Sequence, residues 1–83
     1  MSKYSRLRIF LQNSKNVSEV ITFQELEIIL GSELPPSASI RTAWWGNEVS
    51  KNSRHTHCRE WLNAGWIVEN VCLGDKVTFK KIN

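Results

Sequence analysis

A chain of 83 residues has room for one hydrophobic core, because domains this short bury only roughly 60% of the surface that their unfolded chains expose. Most large apolar side chains must therefore be committed to that core before any function is assigned to them. The sequence supplies four Trp, three Phe and one Tyr for this purpose. We expect one small α+β domain over residues 1–83, with little chain left to build an active-site scaffold beside its core.

The clearest local signal in the sequence runs from Thr22 to Gly31. Thr22 can cap a helix, and Glu25, three residues later, completes a capping box. Gly31 can end the helix in a left-handed conformation. The apolar stripe that would face the core consists of Leu26, Ile29 and Leu30.

Before this helix, the pattern predicts another helix and a short strand. The first helix ends near Asn13, and residues Val17 to Ile21 favour a strand. The apolar residues that recur at helical spacing in the first helix are Tyr4, Leu7, Phe10 and Leu11.

After Gly31, two consecutive prolines interrupt the helical pattern. Pro35 and Pro36 cannot continue a helix, so we expect a bend that permits one helical turn, followed by an extended segment from Arg41 to Trp45. A third helix, capped by Ser50 or Ser53, is predicted to end at Gly65. Its inward side chains are Cys58, Trp61 and Leu62.

The C-terminal segment predicts a β-hairpin. Residues 66–73 and 76–82 are rich in β-formers and flank Gly74-Asp75, which suits a two-residue turn with glycine first. We assign Trp61 and Trp66 to the core. Three helices, a short strand and a C-terminal hairpin follow the order of a winged helix-turn-helix domain, although about twenty residues replace the usual three- or four-residue turn.

Four sequence blocks occur in series along the chain: Leu34–Ala38, Ala43–Asn47, Trp61–Trp66 and Val77–Lys80. They resemble a widespread set of short bacterial and phage proteins of unknown function, whose members share Leu-Pro-x-Ser-Ala, Trp-Trp-x-Asn, Trp-Leu-x-Ala-Gly-Trp and Val-x-Phe. The resemblance spans Tyr4 to Lys81 and implies a common fold and the company of DNA-processing proteins, with no established activity. This chain carries a few extra residues between Asn47 and Trp61.

The charges are unevenly distributed along the chain, whose net charge is +3. No Lys or Arg lies between Asn16 and Ile40, a stretch that contains Glu19, Glu25, Glu27 and Glu33. Basic residues gather at the start, in the middle and at the end of the sequence. This distribution predicts a bipolar surface.

The middle basic cluster is the strongest candidate site. Lys and Arg displace counterions from phosphates, Asn can pair with adenine edges or phosphate oxygens, and an exposed Trp offers a face for base stacking. We expect binding of nucleic acid, with DNA favoured, through Arg41, Trp44, Trp45, Asn47, Lys51, Asn52, Arg54, His55, Arg59 and Lys80. A solvated polar loop beside a core helix is the other interpretation, and adjacent Trp44 and Trp45 should not both face the core.

A different class of function is a protein-interaction module, such as a phage or plasmid inhibitor or an accessory subunit. The acidic second helix would then dock to a basic protein surface. We expect no metal, because His55-Thr56-His57-Cys58 lacks a second pair of ligands. We also expect no enzyme activity and no cofactor. Cys58 and His57 could not act as nucleophile and base, because neighbours on a helix point about 100° apart. Two cysteines without an export signal, and no long apolar run, predict a reduced cytoplasmic protein without a membrane span.

Overall fold

The capping box predicted at Thr22 organises the first half of the fold. In the computed structural model, which describes residues 4–47 and 57–82, Glu25 N donates to Thr22 Oγ1 at 3.1 Å and Thr22 N donates to Glu25 Oε1 at 3.2 Å. This box begins helix α2, Phe23–Leu30, which Gly31 ends with φ of 73°. Leu26 and Leu30 are buried and Ile29 is half-buried, so the predicted helix is confirmed.

Helix α1, Ser5–Asn13, and strand β1, Ser18–Thr22, precede α2 as the sequence predicts. Leu7 and Leu11 face the core with 2% and 0% of their surfaces exposed. Phe10, expected on the same stripe, keeps 37% of its surface exposed. Phe10 lies at the margin of the apolar stripe, because α1 buries only a narrow face that contains Leu7 and Leu11.

The segment after the prolines contains the predicted helical turn, but the extended segment predicted after it is also helical. Helix α3, Pro36–Ile40, starts with a proline in its first turn, and a 3-10 helix follows at Thr42–Trp45. The prediction of an extended segment over Arg41 to Trp45 is therefore wrong. Trp44 N donates to Arg41 O at 3.2 Å, and Trp45 Nε1 donates to Ala38 O at 2.8 Å, so local and tertiary hydrogen bonds together favour the tight turn.

The last helix and the hairpin complete the structure. Helix α4, His57–Asn63, leads through Gly65 to strands β2, Trp66–Cys72, and β3, Lys76–Lys81. Cys72 pairs with Lys76, so the turn has three residues and Gly74 lies second with φ of 76°, not first in a two-residue turn. The proposed caps Ser50 and Ser53 lie outside the described residues.

The three strands form one antiparallel sheet in the order β1-β3-β2, with an irregularity in the β2 register between Val68 and Asn70. The central strand β3 buries Val77 and Phe79 completely, and α1 packs against both α2 and α4. The predicted α+β class is confirmed, and the described residues contain four α-helices instead of three. None of the helices in residues 4–47 and 57–82 has the length and apolar character that crossing a bilayer requires.

The capping box gives a direct test of this local structure. Replacing Thr22→Ala should lower the free energy of unfolding by about 1 kcal/mol, because Glu25 N loses its acceptor, whereas Thr22→Ser should retain most of the stability. Urea denaturation followed by tryptophan fluorescence measures both values. Equal losses in the two variants would contradict the capping role of the hydroxyl group.

Candidate nucleic-acid interface

Trp45, expected in the site, belongs to the core. Its surface is 2% exposed, and its ring lies 5.5 Å from that of Phe23 and 6.0 Å from that of Trp61, centroid to centroid. Its Nε1 atom is occupied by the hydrogen bond to Ala38 O. The 3-10 turn directs this indole inward, so Trp45 cannot offer a face for base stacking and is corrected to a core residue.

Trp44 is half-buried and held in one orientation. Its indole stacks on the His57 ring with centroids 3.8 Å apart and planes 4° from parallel, and the Tyr4 ring packs edge-on at 5.9 Å. The Nε2–H group of His57 donates to Trp44 O at 2.7 Å, since a carbonyl oxygen can only accept. These contacts attach the 3-10 helix to the first turn of α4, and they make His57, which the sequence-based site omitted, a positioning residue.

The side chain of Asn47 faces the protein interior and strand β2. Its Oδ1 atom accepts from Val68 N at 2.9 Å and from Trp61 Nε1 at 3.0 Å, and its Nδ2 atom donates to Val68 O at 2.9 Å. The amide therefore pairs with Val68 as a neighbouring strand would. With both ends of the amide engaged, Asn47 is corrected from a base-reading residue to a structural one.

Arg41 and Trp44 are brought together in a surface cleft of about 440 Å³. The cleft is lined by Ser37, Ile40, Arg41, Ala43 and Trp44. Arg41 is exposed and forms no ion pair with any of the described residues. A cation and an aromatic ring thus border one opening beside the start of α4.

The other predicted cations are placed separately. Arg59 is exposed on α4, and it makes no ion pair within residues 4–47 and 57–82. Lys80 lies on the sheet, where its Nζ atom is 3.8 Å from Glu69 Oε2 in a pair that is more than half exposed and worth little energy. The remaining predicted members, Lys51, Asn52, Arg54 and His55, lie outside the described residues.

A buried carboxylate on α4 escaped the sequence reading. Glu60 is only 8% exposed; its Oε2 atom accepts from Ser5 Oγ at 2.9 Å, and Arg8 Nε lies 3.3 Å from Oε1. Spacing of three residues on α1 gives Ser5 and Arg8 a common face, which was the available signal. This polar cluster fastens α1 to α4 and leaves Arg59, the neighbour of Glu60, directed to solvent.

The acidic stretch has structural roles of its own. Glu25 completes the capping box, Glu27 Oε2 accepts from Leu34 N at 2.8 Å, and Glu19 Oε2 accepts from Ser14 Oγ at 2.6 Å and Asn16 Nδ2 at 3.3 Å. Substituting these carboxylates would therefore alter the fold as well as any docking surface.

The two thiols differ in their surroundings. Cys58 is buried and Cys72 is exposed, and no disulfide joins them. Burial raises the pKa of the Cys58 thiol, which disfavours the thiolate needed for nucleophilic attack at neutral pH. Across the described ranges, no three His, Cys, Asp or Glu side chains cluster in a way that could hold a metal ion.

The sequence model of one protein family, described as a domain of unknown function (DUF7662), matches residues 4–83, and the chain belongs to this family. The resemblance to an uncharacterised family seen in the sequence is confirmed. Comparisons with curated proteins and with solved structures gave no match.

The structural role of Asn47 can be separated from a binding role. Replacing Asn47→Ala should lower the free energy of unfolding by about 2–4 kcal/mol, because Val68 N and Trp61 Nε1 lose their acceptor. Asn47→Asp keeps the acceptor but sets a carboxylate oxygen against Val68 O, so it should preserve the Trp61 indole N–H signal while still destabilising the protein. Guanidinium denaturation and amide NMR measure these effects.

The matched control is Asn63→Ala, which removes an exposed amide at the end of α4. It should change the free energy of unfolding by less than about 0.5 kcal/mol. A similarly small change for Asn47→Ala would contradict the structural assignment.

Proposed function

We propose that this member of the DUF7662 family is a non-catalytic module that binds nucleic acid, with DNA favoured, through a surface formed by Arg41, Trp44 and Arg59. The observation that carries the proposal is the shared cleft of Arg41 and Trp44. A guanidinium group can bind a phosphate while a neighbouring indole contacts a base. The cytoplasm, where both thiols would stay reduced, is the proposed location.

The exposure of the Arg41 side chain supports its proposed role in binding phosphate. Its side chain is exposed and makes no ion pair with a carboxylate of the described residues. A phosphate could therefore bind without first displacing an internal partner, and release of its counterions would favour the complex. Arg59 on α4 offers a second exposed cation that makes no ion pair with the described residues.

The anchoring of Trp44 also supports the proposed binding of nucleic acid. Stacking on His57 and the edge contact of Tyr4 fix the indole before any ligand arrives. A ring that is already ordered loses little conformational entropy on binding. The same stack holds the cleft beside α4, so that Arg41, Trp44 and Arg59 belong to adjoining elements.

The order of the elements favours the winged-helix version of the fold. Strand order β1-β3-β2, with α1 packed on α2 and α4, is compatible with a winged helix-turn-helix in which α4 approaches the major groove and the β2-β3 hairpin approaches the backbone. Lys76 and Lys80 would then supply backbone contacts from the hairpin. Insertion of α3 and the 3-10 helix between α2 and α4 departs from the usual short turn.

The proposal predicts salt-sensitive binding that depends on the two exposed arginines, Arg41 and Arg59. Affinity for labelled duplex and single-stranded oligonucleotides should fall steeply between about 50 and 200 mM salt. Replacing Arg41→Ala or Arg59→Ala should weaken binding about five-fold or more and lower the salt slope by about 1, because each removes one phosphate contact. Fluorescence anisotropy measures both quantities, and the two oligonucleotide forms separate groove binding from stacking on single strands.

Lys15→Ala is the matched control, since it removes an exposed cation from the loop between α1 and β1. It should leave affinity almost unchanged. Binding that ignores salt, or that falls equally in all three variants, would reject the surface. Circular dichroism checks that each variant remains folded.

A protein-interaction module is the second candidate function, and a separate feature favours it. An apolar groove with acidic edges lies beside β1, on elements other than the 3-10 helix and α4. Docking through the acidic second helix is accordingly retained as a proposal.

A further inference from the structure

Within residues 4–47 and 57–82, the backbone groups on the outer side of strand β1 have no strand partner. Lys81 N donates to Val17 O at 2.9 Å and Phe23 N donates to Asp75 O at 2.8 Å, at the two ends of the β1-β3 ladder. Because hydrogen-bonded pairs alternate along antiparallel strands, Glu19 and Ile21 also bond to β3. The N–H and C=O groups of Val20 therefore point away from the sheet.

The two edges of the sheet differ in the hydrogen bonding of their outward backbone groups. At the β2 edge, the Asn47 amide bonds both Val68 N and Val68 O. Among the hydrogen bonds of the described residues, no side chain does the same for Val20. Open edges bind additional strands readily, and natural folds usually cover them.

An apolar groove of about 340 Å³ lies alongside this open edge. Phe10, Val20 and Ile28 contribute to it from α1, β1 and α2, together with Ile21 and Ile29. Val20 is 57% exposed and Ile28 is 78% exposed, so their apolar surface faces solvent instead of the core. Burying such side chains against a partner would be favourable.

The edges of the groove are acidic. Glu19 and Glu25 line it, and the hydrogen bonds they accept come from uncharged Ser14, Asn16 and Thr22. Neither carboxylate forms an ion pair with a cation of residues 4–47 or 57–82. Their negative charge is thus available to a partner, in the part of the sequence that contains no Lys or Arg.

We propose that the β1 edge and this groove bind an extended segment of a partner protein that carries apolar and basic residues. The backbone of that segment pairs with Val20 and adds a fourth strand to the sheet. Its apolar side chains enter the groove against Phe10 and Ile28, and its Lys or Arg side chains face Glu19 and Glu25. Backbone pairing, apolar burial and charge complementarity all select the same class of partner.

The probe is an acetylated, amidated peptide of four Val-Lys repeats, titrated at up to about 1 mM into the labelled protein and followed by amide NMR. Saturable shifts are expected along β1, α2 and around Phe10, and they should weaken as salt is raised. A peptide of Val-Glu repeats should not bind. Absence of binding by the Val-Lys peptide, or equal binding by both peptides, overturns the proposal.

Two variants separate the parts of the surface. Ile28→Asp should weaken the Val-Lys peptide about five-fold or more, whereas Ile82→Asp, which alters a residue 52% exposed outside the groove, should not. Val20→Pro removes the outward N–H, at a position where edge strands tolerate proline, and should also weaken binding. If Ile28→Asp and Val20→Pro both bind the Val-Lys peptide as tightly as the parent protein, the assignment of this edge is wrong.

The outcome is independent of nucleic-acid binding. Ile28→Asp should leave oligonucleotide affinity unchanged, and Arg41→Ala should leave peptide affinity unchanged. Light scattering of the protein alone tests the other occupant, a second copy of the chain. A concentration-dependent dimer that Val20→Pro or Ile28→Asp disrupts would assign the edge to self-association and overturn the partner proposal.

Discussion

The side-chain amide of Asn47 is the contact on which the arrangement of the second half of the protein depends. One amide fixes Trp61 of α4 through its indole N–H and both backbone groups of Val68 in β2. The oxygen must accept from two N–H groups and the nitrogen must donate to a carbonyl, so the amide has one orientation that satisfies all three bonds. The 3-10 helix, α4 and the hairpin are thereby fixed relative to one another, and the Arg41–Trp44 cleft takes its position from this junction.

The sequence blocks that suggested a family have a structural explanation. Ala38 is fully buried and accepts the indole N–H of Trp45, while Trp61 and Trp66 are fully buried in the core. Gly65, which separates α4 from β2, adopts φ of 84° and accepts a hydrogen bond from Ile82 N at 2.7 Å. These residues build the fold. Of the side chains proposed to act on a ligand, Arg41 and Arg59 lie outside the four blocks, whereas Trp44 lies inside the second block. The buried residues of these blocks thus account for the architecture, and the activity has to be derived from the surface.

The 3-10 turn at Thr42–Trp45 and the three-residue turn around Gly74 were predicted wrongly, but local signals predicted several other elements well. The Thr22–Glu25 box, the left-handed Gly31 and the two strands of the hairpin are of this kind. Prediction failed where a distant partner decides the conformation: the Trp45 indole turns inward to reach Ala38 O, and the Asn47 amide pairs with Val68, 21 positions away. A polar or aromatic residue in a loop has the same sequence signature whether its partner is a ligand or its own sheet. The partner of Glu60 is still more remote, since Ser5 is 55 positions away.

The pairing of the carboxylates explains why the two proposed surfaces lie on different parts of the protein. Carboxylates near β1 and α2 accept from uncharged donors, whereas Glu60 is paired with Arg8 and buried between α1 and α4. Within the described residues, Glu19 and Glu25 therefore make no ion pair, whereas the charge of Glu60 on α4 is paired with Arg8, and Arg59 on the same helix remains exposed. Asn47 closes the sheet edge on the α4 side, and the opposite edge at Val20 stays available for backbone pairing. In the two proposals, charge and edge geometry assign a polyanion to α4 and a basic strand to β1, so each surface would disfavour the ligand of the other.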